Sequence, residues 1–331
     1  MSRARLGRVH GWVVLDKPAG LSSTQAMARA RRALGAGRAG HAGTLDPFAT
    51  GVLPLAFGLA TRTIPYVSLE PKVYRFSLAW GVETDTLDAT GQMVRQSPVR
   101  PSAAAVADAL GAFEGEIWQT PPAFSAVHVA GRRAYELARA GQPVALAPRQ
   151  VTIHRLALCP PAEGMAAGGG DGAAADGTGA VLEVECGSGT YVRALARDLA
   201  ARLGTVAHVM ALRRLAVGRF RAQAAIGLSK LEALGHSAAA REALLPLATA
   251  LDDIPALAVG PAEAARLRHG GSLDLPLATV AGAAAGSADR TMALAIGQDG
   301  AVALVRLEFM ADGVRAWPER VFDAAAATTE T

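Results

Sequence analysis

Cysteine, lysine and aromatic residues are scarce in this sequence. Only two cysteines, Cys159 and Cys186, occur among 331 residues, too few for a disulfide framework, and this favours a reducing, cytoplasmic setting. No CxxC or HExxH pattern is present, so no metal-binding motif is recognisable. The apolar run WVVL near the N-terminus is too short for a signal-peptide core or a membrane span. We therefore expect a soluble protein that binds no metal.

Positive charge is unevenly distributed, although the net charge is only +4. Residues 1–40 contain eight Lys or Arg against a single acid, Asp16, and residues 189–220 contain six Arg against Asp198. Two separated basic blocks are typical of a protein that binds a polyanion such as nucleic acid. Solvated faces of ordinary helices are the commoner explanation of such blocks, so charge alone leaves both interpretations open.

The order of predicted elements is α+β, and the length suits one large domain followed by a smaller one. Ser22 or Ser23 is a candidate N-cap for a helix that Gly35 and Gly37 end. Alternating or apolar stretches predict strands, and amphipathic stretches predict further helices. The predicted strands are HGWVVLD (10–16), VYRFSLAWG (73–81), QVTIHRLALC, VLEVECG and HVMALRRLAVGRF (208–220), and the predicted helices are TQAMARARRAL, PSAAAVADALGAF (101–113) and TYVRALARDLAARLG (190–204).

Two further segments differ in composition from the rest. Residues 160–179 have few bulky apolar side chains and predict a flexible surface loop between two strands. From Asp252 onward, the pieces MALAIGQDG and AVALVRLEF, joined at Asp299-Gly300, predict a hairpin in a separate small β-rich module. Another Ala/Gly/Ser-rich stretch covers residues 279–289.

The stretch GHAGTLDPFATGVLP (40–54) surrounds one carboxylate, Asp46, with turn-forming residues. An acid before proline is most often a turn residue whose oxygens accept from nearby backbone N–H groups. Here His41 and Thr44 lie beside it, and the glycines would let the backbone approach a ligand closely. The spacing fits neither a phosphate-binding P-loop nor a GxSxG elbow. A lone carboxylate can act as a nucleophile or stabilise positive charge at a sugar C1′, and the absence of a second nearby acid suggests a reaction that consumes no water.

These residues resemble the signature block of the TruB family of RNA uridine isomerases. The block is RAGHAGTLDPFATGVLPLAFGLATR, and four more stretches resemble the family's other blocks in the same order, so that the resemblance covers about residues 8 to 250. They are VLDKPAGLSS (14–23), KVYRFSLAWGVETDTLDATG (72–91), QTPPAFSAVHVAGRRAYELARAG (119–141) and GTYVRALARDLAARLG with AHVMALRRLAVG (189–218).

The resemblance implies a pseudouridine-synthase catalytic domain over residues 1–250, with a mixed, largely antiparallel sheet flanked by helices. An insertion at about 119–147 would grip the RNA hairpin loop, and residues 251–323 more weakly resemble the PUA RNA-binding module. The implied activity is that of an isomerase, an intramolecular transferase, which converts uridine 55 in the T-arm stem-loop of tRNA to pseudouridine. It would need no cofactor, no metal, no membrane and no obligate protein partner, and would act as a monomer.

The catalytic residue implied by the resemblance is Asp46. It would attack the ribose C1′ of a flipped-out nucleotide or remove the C2′ proton, and the sequence does not distinguish these. Arg193 would keep the carboxylate charged and oriented, and Tyr74 would stack on the uracil and help to move its C5 proton. The residues implied to bind substrate are His41, Tyr191, Leu212 and Lys17, with Arg132 and Arg133 in the insertion. Without the resemblance, half-buried tyrosines, a structural histidine and a surface arginine would be the ordinary interpretations.

The sequence departs from the family pattern at three places. Phe124 stands where tyrosine is usual, His128 where lysine is usual, and Gly187-Ser188 lacks a lysine often found before GTY. We therefore expect the phosphate contacts to be weaker or redistributed. Arg132, Arg133 and Arg139 lie close enough in sequence to compensate. Two alternatives remain: the same chemistry on a different RNA, and an RNA-binding protein that assists tRNA folding without turnover.

Overall fold

The computed structural model describes residues 9–129, 131–160, 178–280 and 291–322. The loop predicted at 160–179 lies outside the described residues except at its ends, where Gly179 already begins a strand. The Ala/Gly/Ser-rich stretch at 279–289 likewise lies outside them apart from its first two residues.

The described residues form nineteen strands and seven α-helices. The strands are β1 (Gly11–Lys17), β2 (Ala39–His41), β3 (Thr50–Phe57), β4 (Lys72–Trp80), β5 (Val82–Thr84), β6 (Met93–Gln96), β7 (Gly115–Gln119), β8 (His128–Val129), β9 (Arg132–Arg133), β10 (Arg149–Cys159), β11 (Gly179–Cys186), β12 (Ala207–Val217), β13 (Phe220–Arg221), β14 (Ile226–Gly227), β15 (Ala256–Ala258), β16 (Leu273–Leu275), β17 (Thr291–Gly297), β18 (Gly300–Met310) and β19 (Gly313–Val321). The helices are α1 (Ser23–Leu34), α2 (Ala103–Leu110), α3 (Ala134–Arg139), α4 (Val192–Arg202), α5 (Leu228–Leu234), α6 (Ala238–Glu242) and α7 (Pro261–Arg268).

A ten-stranded mixed sheet forms the larger domain, in the order β14-β1-β3-β12-β4-β11-β10-β7, with β2 paired to β3 and β13 to β12. Within this sheet, as far as the structure describes it, only the β1–β14 and β3–β12 pairs are parallel. The predicted α+β class with a mixed, largely antiparallel sheet is therefore confirmed. The parallel contact matters for the site, because it places β3 beside β12, which is distant in sequence.

Helix α1 begins and ends as its sequence predicts. Ser22 is the N-cap and forms a capping box with Gln25, which satisfies two backbone N–H groups at the helix start. Gly35 ends the helix with a φ of 61°, a left-handed conformation that glycine adopts without strain. This geometry fixes the loop before α1, which borders the candidate site.

One face of the sheet packs on the helices. Alternate residues of β4, namely Tyr74, Phe76, Leu78 and Trp80, point into this core, where they meet apolar residues of α1 and α4. Across the sheet, Phe76 lies opposite Leu212 of β12. The alternation read from the sequence therefore fixes which β4 side chains reach the site.

The C-terminal residues form a separate five-stranded sheet, in the order β15-β17-β18-β19-β16, with its own apolar core. The predicted hairpin is present, but its connection is shifted by one residue. Gly297 pairs with Gly300, so Gln298 and Asp299 form the turn and Gly300 begins the next strand. Glycine is needed at that position because its φ is +108°.

The two sheets share a third apolar cluster. Trp12 on β1 packs against Phe220, and residues of the C-terminal sheet such as Leu294 and Leu304 join the same cluster with Phe322. A backbone contact supports this interface, since the Arg62 guanidinium donates to the carbonyl of Val321 at 3.0 Å. The C-terminal sheet is thus packed onto the face of the large sheet that the helices leave uncovered.

Both cysteines are free thiols, as the sequence predicts. Across the described ranges, no helix combines the length and apolarity needed to cross a membrane.

Because the domains share a core, Leu304→Ala should destabilise both together. Leu304 is fully buried, so its truncation should cost about 2–5 kcal/mol of unfolding free energy. Calorimetry should show one transition at a lower temperature, while Leu277→Ala, at a residue 55% exposed, should leave the midpoint nearly unchanged. Two separate transitions, of which only the smaller moves, would contradict the shared core.

Candidate active site

Asp46 lies in the loop between β2 and β3, and α1 holds this loop in place. The Ser23 hydroxyl accepts a hydrogen bond from the Leu45 N–H at 2.9 Å and donates to the Leu45 carbonyl at 3.1 Å. Pro47 accepts from the N–H of Gly20 at 2.9 Å. The turn typical of an Asp-Pro pair is present, because the Asp46 carbonyl accepts from the Ala49 N–H at 3.1 Å. The backbone around the carboxylate is therefore fixed on both sides.

Arg193, in the first turn of α4, brings three separate segments to the carboxylate. Its Nε donates to Asp46 Oδ2 at 2.9 Å, its Nη1 to the Thr86 carbonyl at 2.7 Å and its Nη2 to the Phe124 carbonyl at 3.0 Å. The Arg193 side chain is 5% exposed and that of Asp46 is 37% exposed. Asp46 is therefore oriented from the protein side and open on the other.

Asp88 is a member of this network that the sequence analysis missed. Its Oδ2 lies 3.6 Å from Arg193 Nη1, and its Oδ1 accepts from two threonine hydroxyls of the 84–91 loop, at 2.8 Å from Thr86 and 2.6 Å from Thr90. Leu87, just before it, has a φ of 61°, an unusual conformation for an apolar residue. The motif TDTLDATG contains this acid together with a second aspartate, and neither is followed by proline. The sequence does not distinguish the two, and only the fold shows that Asp88 faces Arg193.

Asp88 does not supply the second catalytic acid that a water-consuming glycosidase needs. Its side chain is 6% exposed, its Oδ1 accepts three hydrogen bonds and its Oδ2 faces Arg193. One accessible carboxylate next to a buried guanidinium suits nucleophilic attack or proton abstraction without activation of water.

Tyr74 is buried in the large core, opposite Arg214 across the β4–β12 pair. Burial raises the pKa of the Tyr74 phenol, and the Arg214 charge together with a hydrogen bond from Arg214 opposes that rise. The phenol is thus neutral at physiological pH. Leu212, the predicted neighbour of the base, is also buried, two strand positions before Arg214.

Lys17, which the resemblance implies to bind substrate, is buried in this structure. Its side chain is fully buried at the end of β1, and its ammonium donates to the carbonyls of Pro18, Leu21 and Pro47 at 2.9, 2.6 and 3.2 Å. Three acceptors use all three donors of an ammonium. Lys17 therefore positions the loops on both sides of Asp46 rather than contacting substrate directly.

His41 and Tyr191 are half-buried near the edges of this network. The pKa of His41 is lowered by burial and by the Arg214 charge, and its Nδ1 has no partner within the described residues. The backbone N–H of Tyr191 donates to the Gln119 side chain at 2.7 Å, which ties the start of α4 to β7. His41 is thus neutral at physiological pH, and its Nδ1 is buried and unpaired among the described residues.

Arg132 and Arg133 are exposed on the β8–β9 hairpin and make no contact with the Asp46 network among the described residues. The insertion is nevertheless tied to the site through the Phe124 carbonyl, which accepts from Arg193. Because this contact uses the backbone, phenylalanine in place of the family's usual tyrosine leaves it intact.

The sequence predicts that the glycines let the backbone approach a ligand closely, and at Gly51 the structure differs. Its φ is +100°, and a Cβ there would lie 2.2 Å from the Arg214 carbonyl oxygen. The glycine lets β3 approach β12 rather than a ligand. Gly43 similarly lies against the Arg214 side chain, because a Cβ at Gly43 would be 3.3 Å from Arg214 Nη1.

A pocket of about 690 Å³ adjoins the Asp46 loop. Pro47, Phe48 and Thr50 line one side and Leu212 and Arg213 line another, while a salt bridge to Asp16 at 2.9 Å holds Arg213. The pocket is large enough for a flat base and its sugar. Within the described ranges, no group of three His, Cys, Asp or Glu side chains is arranged to bind a metal.

Comparison with known proteins gives consistent results over most of the chain. A family model described as "TruB family pseudouridylate synthase (N terminal domain)" matches residues 31–192, and one described as "tRNA pseudouridylate synthase B C-terminal domain" matches residues 193–252. The tRNA pseudouridine synthase B of Caulobacter sp. (strain K31) is 51% identical over 276 residues, which cover 83% of this chain and 85% of that relative. The enzyme of the same name from Gluconacetobacter diazotrophicus is 44% identical over 311 residues, covering 93% of this chain and 97% of the relative.

A solved structure described as "Structure of H/ACA RNP bound to a substrate RNA containing 2'-deoxyuridine" has the same fold. The TM-score is 0.68 at 22% identity, over 96% of this chain and 86% of that one.

The buried position of Lys17 predicts an unusual titration. Burial lowers its pKa to about 8, against an opposing effect of the Asp46 charge. The unfolded chain keeps this proton up to the ordinary lysine value of 10.5, so between the two values the unfolded state binds more protons and folding becomes more favourable as pH rises. With only three lysines in the chain, ¹³Cε-lysine NMR should show one signal, absent in Lys17→Met, that titrates near pH 8.

In urea unfolding, the stability of wild type relative to Lys17→Met should rise with pH across the same window. Titration of the Lys17 signal at its ordinary value would show that the ammonium is not held in the interior.

Proposed function

The chain belongs to the TruB family of pseudouridylate synthases, as its sequence resemblance predicts, and we propose that it isomerises uridine 55 in the T-arm of tRNA to pseudouridine. We propose further that it acts as a cytoplasmic monomer without a cofactor. The observation that carries this proposal is the half-exposed Asp46 carboxylate, oriented by a buried arginine, in a loop whose next residues, Pro47 and Phe48, line a pocket of nucleotide size. The names of the relatives that share most of the chain support tRNA as the substrate.

The reaction breaks the N1–C1′ bond of uridine and forms a C5–C1′ bond. C5 then loses its proton, and N1 gains one. Asp46 acts either as the nucleophile at C1′ or as the base at C2′, and both roles require an ionised carboxylate. The Arg193 guanidinium, 2.9 Å away, supports that state by a charge-assisted hydrogen bond.

The uridine must leave its stack in the RNA to reach this carboxylate, which costs a few kcal/mol. Contacts inside the pocket offset that cost. Tyr74 and Leu212 lie on adjacent strands on the side of the sheet that faces the core, where they support stacking of the uracil. His41 and Tyr191, both half-buried beside this network, are proposed to contact the surrounding nucleotides.

RNA binding is proposed to use the exposed part of the insertion. Arg132 and Arg133 present two cations on a short hairpin, and phosphate contacts by such side chains dominate affinity for RNA. The Phe124 carbonyl links the same insertion to Arg193. A grip on the hairpin loop by this insertion would therefore be coupled to the network that orients Asp46. The C-terminal sheet is proposed to be a PUA-like RNA-binding module.

The proposed reaction is tested by tritium release from a tRNA transcript labelled at uridine C5, without cofactor. Asp46→Asn should reduce release by at least about a thousand-fold, because removal of the reacting group of an enzyme has losses of this size or larger. Asp274→Asn is the matched control, since this exposed aspartate also pairs with an arginine, at 2.6 Å, but belongs to the other sheet. No release by a wild-type protein that binds the transcript would leave a different RNA target or an RNA-folding role.

Binding of tRNA should depend on salt through the insertion. The double change Arg132→Ala with Arg133→Ala should weaken binding and reduce the slope of log Kd against log salt by about 1–2, as expected for one or two lost phosphate contacts. Arg155→Ala is the control. Arg155 lies beside Glu183 on the outer face of the large sheet, and its replacement should leave the slope unchanged. Equal slopes for all three proteins would place the phosphate contacts elsewhere.

A further inference from the structure

Arg214 is a buried cation that joins the Asp46 loop to the centre of the sheet. Its side chain is fully buried on β12. Its Nε donates to the Val52 carbonyl at 2.7 Å, its Nη2 to the Gly43 carbonyl at 2.9 Å and its Nη1 to the Thr44 carbonyl at 3.4 Å. Gly43 and Thr44 precede the catalytic carboxylate in its loop, and Val52 follows it in β3. One side chain therefore fastens both ends of the loop.

This guanidinium differs from the other arginines near the site in having no acidic partner. Arg193 pairs with Asp46, and Arg213 pairs with Asp16, whereas no ion pair among the described residues includes Arg214. A buried charge without a counter-ion is unfavourable, and an apolar side chain of similar size would serve packing alone at least as well. Packing therefore does not explain why arginine stands here.

The contact with Tyr74 supplies a reason. Arg214 and Tyr74 are directly opposite each other on adjacent strands, and three of the five N–H groups of the guanidinium are used by carbonyls. The remaining donors are left for the neighbouring Tyr74 hydroxyl, and the Arg214 charge and hydrogen bonding oppose the rise that burial causes in the Tyr74 pKa. A phenol oxygen that accepts from a fixed guanidinium directs its own hydrogen away from it.

The fit between Arg214 and its loop is tight. A Cβ at Gly43 would lie 3.3 Å from its Nη1, and one at Gly51 would lie 2.2 Å from its carbonyl oxygen. The two glycines thus give the loop and the strand room to close around this residue.

We propose that Arg214 is a positioning residue of the isomerase site, which fixes the Asp46 loop and orients the Tyr74 hydroxyl. This inference rests on the proposed function. Arg214 does not reach the substrate itself in this arrangement, since it is enclosed by its own loop and strands. Its effect on the reaction passes through the two residues that it holds.

The test compares Arg214→Met and Arg214→Lys with wild type, and uses Arg155→Met as the control arginine on the outer face of the sheet. Three quantities are measured: tritium release in a single turnover with enzyme in excess, the Kd for tRNA, and the ¹³Cζ-tyrosine NMR spectrum. The chain has four tyrosines, so loss of one signal in Tyr74→Phe assigns the Tyr74 resonance.

In both Arg214 variants the single-turnover rate should fall about 100-fold, the scale of loss for a misplaced reacting group. The Kd should change little. The Tyr74 signal should move, while those of Tyr66 and Tyr135 stay in place, which separates lost orientation from general unfolding. Arg155→Met should match wild type in every measurement. If Arg214→Met does not fold, Arg214→Lys, which keeps the charge but not the fork of donors, decides the question.

A folded Arg214 variant with a wild-type rate and an unmoved Tyr74 signal would overturn the inference. If wild type releases no tritium, the proposed function fails, and the Tyr74 signal still decides the positioning role. Its displacement in the variants would support that role, and an unmoved signal would overturn it.

Discussion

The arrangement of this site depends on the buried guanidinium of Arg193. Its three hydrogen bonds reach a carboxylate in the β2–β3 loop, a carbonyl in the 84–91 loop and a carbonyl in the insertion. These segments lie more than 60 residues from Arg193 along the chain. A planar group with five donors is suited to this task, because each N–H has a fixed direction. Without this guanidinium, no single side chain would hydrogen-bond to all three segments, and the Asp46 carboxylate would lose the hydrogen bond that orients it.

Charge around the site is organised in layers. Asp46 is the half-exposed member, Arg193 and Asp88 lie behind it, and the two remaining cations, Lys17 and Arg214, are buried and bonded to backbone carbonyls. Carbonyl acceptors satisfy the buried cations without neutralising them, so their charge still acts on neighbours. Burial lowers the pKa of His41 and raises that of Tyr74, and the Arg214 charge adds to the first shift and opposes the second. A net positive interior suits a site that receives a polyanion.

The shared apolar cluster gives the site a rigid base. Strand β3, which follows the Asp46 loop, is held between β1 and β12, and the C-terminal sheet covers the outer face of the same strands through Leu294 and Leu304. The C-terminal sheet therefore contributes to the stability of the strands that carry the Asp46 loop. An RNA that contacts both sheets would meet surfaces with a fixed relative position, which favours recognition of a folded RNA by shape.

Sequence alone determined the local features of this protein. The capped helix α1, the alternation of β4 and the C-terminal hairpin follow from patterns with a period set by backbone geometry, and the block around Asp46 identifies the family. Only the tertiary structure decided what the buried polar residues do. Lys17 holds loops, Gly51 admits a neighbouring strand, and Asp88 and Arg214 belong to the site. The physical reason is that these roles arise from partners distant in the chain, such as β3 beside β12, and a one-dimensional pattern does not state which distant groups will share a buried hydrogen bond.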